Sequence, residues 1–136
     1  MSDFLFTYGT LRPGHASGKI ASVAARLQPE CEGYIHGVLY DLGRYPGALI
    51  DANSERKIFG QVSKLPDDPE CLRALDAYED YDPKSPPTSL YLREVHPVHL
   101  ADGSTRLCWV YVYNQPIGSA RIVESGRYDV GTKSPQ

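Results

Sequence analysis

Two short stretches place together residue types that can do chemistry. The first is Glu79, near the end of "DDPECLRALDAYEDYDP", a run that reads as a helix. Residues in a helix turn by about 100° each, so Glu79 projects between Leu72 and Leu75, which mark the apolar stripe. A carboxylate there either frays into water at the helix end or is partly buried. If buried, desolvation and the negative end of the helix dipole push its pKa up, as a general acid–base group near neutral pH requires. An ion pair with Arg93 would pull the pKa down instead, and the sequence leaves both open. The acids around it, Asp76, Asp80 and Asp82, are read as solvent-facing. The second stretch is "YGTLRPG", residues 8–14, directly after an apolar strand. It either reverses the chain or forms a backbone cradle whose N–H groups hold an anion or a carbonyl oxygen.

These residues need elements to position them. Residues 3–8 read as a strand, and Ile20, Val23, Ala24 and Leu27 follow the i, i+3, i+4, i+7 rule of a short amphipathic helix. Strands follow over 33–42, in "ALIDA" and over 57–65, with interior glycines that mark bulges or close backbone approach. Asp68 is placed to cap the second helix, Pro69 to start it, and Asp82-Pro83 to close it. The chain ends in two strands, "LYLREVHPVHL" and "TRLCWVYVYN", joined at Asp102-Gly103, a hairpin signal. Pro97 inside the first suggests an edge or a bulge. About six short strands and two helices, without strand–helix alternation, predict an α+β fold: a small, mostly antiparallel mixed barrel flanked by the helices.

With 136 residues, one domain is expected, over 1–128, with 129–136 as a flexible tail. A net charge of -3 speaks against nucleic acid as a partner. No apolar run reaches the ~18 residues of a membrane span, and the N-terminus does not read as a signal peptide. Cys31, Cys71 and Cys108 are widely spaced and odd in number, so they read as reduced core thiols in a cytoplasmic protein. His96 and His99 fall on opposite strand faces, while His15 and His36 have no spaced partner, so no metal site is expected. Tyrosine supplies ten residues, far more than phenylalanine, and most are read as packing. Trp109, Tyr111 and Tyr113 share a strand face. The first two are assigned to packing, and Tyr113 to the mouth of a pocket. Arg93 shares a face with Tyr91 and is either solvent-facing or placed to orient Glu79 or a substrate carboxylate.

Tyr8-Gly9-Thr10-Leu11, "GVLYDLGRYPG" (37–47) and "LDAYEDYDP" (75–83), in that order, resemble the gamma-glutamylcyclotransferase superfamily, in particular its small AIG2-like, gamma-glutamylamine-cyclotransferase-like branch. "YLREVHPV" and "WVYVY" are similar to that branch's closing strands, so the resemblance spans residues 4–126. It implies a small mixed barrel with flanking helices, and a loop that binds the glutamyl part of a substrate at Tyr8, Gly9, Thr10 and Leu11. It also implies Glu79 as the catalytic proton carrier. The implied activity is cyclisation of a gamma-glutamyl amide to 5-oxoproline and a free amine, without a cofactor. One departure is Tyr128, which stands where members often carry tryptophan. The rival reading is a binding protein for a small acidic metabolite that keeps the pocket without the chemistry. Neither the leaving amine nor the oligomeric state follows from the sequence.

Overall fold

The computed structural model describes residues 3–9, 20–43 and 45–128. In chain order the elements are β1 (Phe4–Thr7), α1 (Ile20–Ala24), β2 (Gln28–Asp41), β3 (Pro46–Ile50), β4 (Lys57–Lys64), α2 (Pro69–Tyr78), β5 (Tyr91–Leu100), β6 (Thr105–Tyr113) and β7 (Arg121–Ile122). Strands β2, β4, β1, β6 and β5 pair in that order, and β5 returns to β2 through Gly33↔Leu100 and Tyr34↔His99. This closes a five-stranded barrel in which only the β1–β6 pair is parallel. Both β3 and β7 pair with the far half of β2. The expected mixed barrel with two helices is therefore present. The strand added to the expected count is β7, two residues long and too short to carry a pattern.

Closure depends on missing side chains. Gly33 and Gly60 face each other across β2 and β4. A Cβ on Gly33 would come within 2.7 Å of Val98 and 2.8 Å of the His99 carbonyl, and one on Gly60 would strike the Thr7 carbonyl. These glycines let the sheet curl until β2 meets β5. Pro97 causes no bulge: β5 runs opposite β6 in unbroken register from Tyr91↔Tyr113 to His99↔Thr105. It sits on an edge, because β2 pairs with β5 only at His99 and Leu100. The register shift lies in β2, between Pro29 and Cys31.

Strand alternation sorts side chains into two buried layers. Inside the barrel lie Phe6, Ile35, Leu39, Ile58, Val62, Val98, Cys108 and Val110. Tyr128 joins this interior cluster, so the residue at the family's tryptophan position packs in the core. Outside the barrel, Leu5, Tyr91 and Tyr111 pack against Ile20, Leu27, Cys71 and Leu75 of the helical side. All three cysteines are free, with Cys71 and Cys108 buried and Cys31 partly so.

Helix α2 carries Glu79 into the second layer. The Asp68 carboxylate accepts the Glu70 backbone N–H at 3.0 Å, and Pro69 begins the helix as its fixed φ allows. The buried stripe runs through Cys71 and Leu75, with Leu72 only half-buried, and Glu79 continues it one turn later. The helix stops earlier than expected, at Tyr78, with Glu79 as its C-cap and the Glu79 N–H bonded to the Leu75 carbonyl at 2.9 Å. Asp80 then takes the left-handed conformation, φ 58°, which turns the chain away before Asp82-Pro83.

Candidate functional site

A cavity opens where the C-terminal end of α2 meets the end of β1. Phe6, Thr7, Tyr8 and Gly9 form one wall, Tyr91 and Tyr111 of the neighbouring strands another, and Tyr45 and Pro46 at the start of β3 a third. Glu79 reaches in from the helix end. The enclosed part is about 30 Å³, and the free space out to the open mouth is about 370 Å³. The first is room for one or two waters, and the second falls at the small end of ligand pockets. Gly9 is needed here because a Cβ would come within 2.8 Å of the Pro46 ring, which itself lines the cavity. Glycine thus lets the β1 end and the β3 start close on each other.

Burial pushes the Glu79 carboxyl up to about 8 from an ordinary 4.5. Desolvation is the cause, and no cation faces Glu79 among the described lining residues to oppose it. The surrounding tyrosines are held as neutral phenols. Burial raises Tyr8, Tyr91 and Tyr111 above the usual phenol range, and the nearby Glu79 charge adds to each shift. Each donates its proton to the protein itself. Tyr8 donates to the Tyr111 carbonyl at 2.5 Å, Tyr91 to the Pro46 carbonyl at 2.5 Å, and Tyr111 to Asp76 Oδ1 at 2.6 Å. What they can still offer a visitor is oxygen lone pairs.

Arg93 is not joined to Glu79. Its Nε and Nη2 donate to the two oxygens of Asp76 at 2.7 and 3.1 Å, and its guanidinium lies 4.2 Å from the Trp109 ring centre. The reading of Asp76 as solvent-facing is corrected as well: it is 7% exposed, held by Arg93 and Tyr111, while Asp80 and Asp82 do face solvent. An α2 residue one helical turn before the end faces the sheet, and the arginine on β5 is what makes its burial affordable. Neither Arg93 nor Tyr113 is among the residues lining the cavity. Tyr113 packs edge-on against Tyr91, ring centres 5.5 Å apart, and against Gly47. Tyr8 and Gly9 do line it, whereas Thr10 and Leu11 lie outside the described residues. Sequence reasoning missed Thr7, Tyr45, Pro46 and the double role of Tyr91 and Tyr111. Tyr45 and Pro46 lie in the stretch "GVLYDLGRYPG", and nothing local says that it folds over β1. Among the described residues no cluster of histidine, cysteine or acid is arranged to hold a metal ion, and no helix is long and apolar enough to cross a membrane.

Comparison with known proteins adds to this geometry. The family model "Gamma-glutamyl cyclotransferase, AIG2-like" matches residues 5–130. An AIG2-like protein from Mus musculus superposes with a TM-score of 0.72 at 22% identity, over 93% of this chain and 88% of that one. The ytfP protein from Escherichia coli gives 0.64 at 25% identity, over 95% and 98%. YkqA from Bacillus subtilis gives 0.66 at 22% identity, over 94% of this chain but only 40% of that protein's length. These likenesses establish the fold. No curated protein matches the sequence significantly.

Proposed function

Because the chain belongs to the AIG2-like gamma-glutamyl cyclotransferase family, we propose that it cleaves a gamma-glutamyl amide by cyclisation, releasing 5-oxoproline and a free amine. The observation that carries this reading is the placement of Glu79 in the cavity beside Tyr8, Tyr91 and Tyr111, where burial raises its carboxyl to about 8. A group with that pKa exchanges protons readily at neutral pH. The substrate's α-amine nitrogen attacks its own γ-carbonyl carbon. A C–N bond forms, closing a five-membered ring, and the bond to the leaving amine breaks. Glu79 takes the proton from the attacking nitrogen and returns it to the leaving nitrogen, so the step balances without oxidant or co-reactant. Tyr8, Tyr91 and Tyr111, with their protons already donated, offer oxygen acceptors that suit an N–H-bearing amine. Nucleophile and electrophile share one molecule, so the protein's main work is to hold the glutamyl chain folded.

The test is release of 5-oxoproline from a panel of gamma-glutamyl amines and gamma-glutamyl amino acids, with Glu79→Gln beside the wild type. The amide keeps the shape of the carboxyl but cannot accept the amine proton, so turnover falls by about 10²–10⁴-fold. A melt confirms that the variant is folded. An active, folded Glu79→Gln protein would end this mechanism. Wild-type protein that binds the panel tightly without turnover would instead favour the metabolite-binding reading.

A further inference from the structure

Thr7 is 3% exposed, and its Oγ1 is enclosed without a hydrogen-bond partner, yet the residue lines the cavity. A buried hydroxyl with no partner costs roughly 1–3 kcal/mol, and valine would fill the same strand position without that cost. Its neighbours have all committed their protons: Tyr8 and Tyr91 to backbone carbonyls, Tyr111 to Asp76. Tyr45, the remaining hydroxyl of the wall, is only half-buried and open to water. Thr7 is therefore the one fully buried side-chain hydroxyl among the described lining residues with a proton to give.

Resting on the reaction proposed above, we infer that Thr7 donates a hydrogen bond to the γ-carbonyl oxygen of the bound glutamyl group. Two arguments select that oxygen. An α-carboxylate carries a full charge, and the described lining residues include no lysine or arginine to balance it at so enclosed a spot. A neutral carbonyl can be buried there at the cost of one hydrogen bond. As the amine nitrogen bonds to the carbon, this oxygen gains negative charge, and the hydrogen bond strengthens while Thr7 keeps its proton. When the carbonyl re-forms, the leaving nitrogen departs with the proton carried by Glu79.

Thr7→Val removes the hydroxyl and keeps the shape; Thr7→Ser keeps the hydroxyl. Loss of one oxyanion donor lowers kcat by about 10²–10³-fold. Thr7→Val should show that loss with KM little changed and a melting temperature equal to or above wild type, and Thr7→Ser should recover most of the rate. Ser63, whose Oγ is also buried without a partner but which does not line the cavity, supplies the control. Ser63→Ala should hold or raise stability and leave kcat unchanged. A Thr7→Val enzyme within twofold of wild-type kcat, or one altered in KM alone, overturns the assignment. Folded wild-type protein that makes no 5-oxoproline from any substrate of the panel overturns the reaction itself, and this inference with it.

Discussion

Strand β6 has two faces, and they do different work. Cys108 and Val110 point into the barrel, into a mostly aliphatic cluster that holds no charged side chain. Trp109 and Tyr111, their neighbours in sequence, point outward under α2, where Asp76, Arg93 and Glu79 are also found. The interior is held mainly by shape and apolar area, with no charged side chain in its cluster. The outer layer buries charge and must satisfy it, which it does for Asp76 through Arg93 and Tyr111 and leaves undone for Glu79. That difference is the source of Glu79's raised pKa: two acids three residues apart at the end of α2 face one sheet, and among the described residues only Asp76 has a cation.

The comparison breaks most visibly at Asp76. Asp76→Ala strands the Arg93 guanidinium, 15% exposed, without its partner. Removing one member of a buried pair costs about 3–5 kcal/mol. Urea unfolding should show a loss of that size, and a loss below about 1 kcal/mol would mean that the outer layer does not depend on the pair.

A second test uses pH. Glu79 holds its proton more tightly folded, at about 8, than at its ordinary 4.5. Over that window the unfolded chain has released the proton while the folded one keeps it. Stability from this group is fully present below about 4.5, declines as pH rises, and is gone above about 8. Glu79→Gln removes the decline, so the difference in melting temperature between variant and wild type should grow in the variant's favour from pH 5 to pH 8. A constant difference would contradict the shift.

The smallest effect belongs to the interior. Ile58→Val removes one methylene from a fully buried site away from the cavity. It should cost about 0.5–1.5 kcal/mol in unfolding free energy and leave kcat unchanged. A matching loss of activity would show that the two layers are not separate.

The same contrast explains what could be read from the sequence. Element order and the barrel class were legible because six strand-like segments, several with interior glycines, do not alternate with helices, and because α2 has both a cap and a stripe. Glu79 was legible because a carboxylate on that stripe contradicts its surroundings. Asp76 was not, because its partner Arg93 is 17 residues away and meets it only when β5 packs beneath α2. Thr7 gave no signal either, since threonine is an ordinary strand residue until the wall around it is known. Tyr45 and Pro46 reached the cavity only through the pairing of β3 with β2. Periodicity reports which face a residue takes, and it is silent on what comes to meet that face.

The central claim is that Glu79 is a carboxyl that no cation faces among the described residues, tuned by burial to exchange protons near neutrality. The direct measurement is a carboxyl-carbon NMR titration of the folded protein labelled at glutamate, with Glu79→Gln identifying the resonance. The account predicts a midpoint near 8, far above the ordinary 4.5. A midpoint between 4 and 5 would contradict it, because a carboxylate fully ionised at neutral pH has not been desolvated by this cavity.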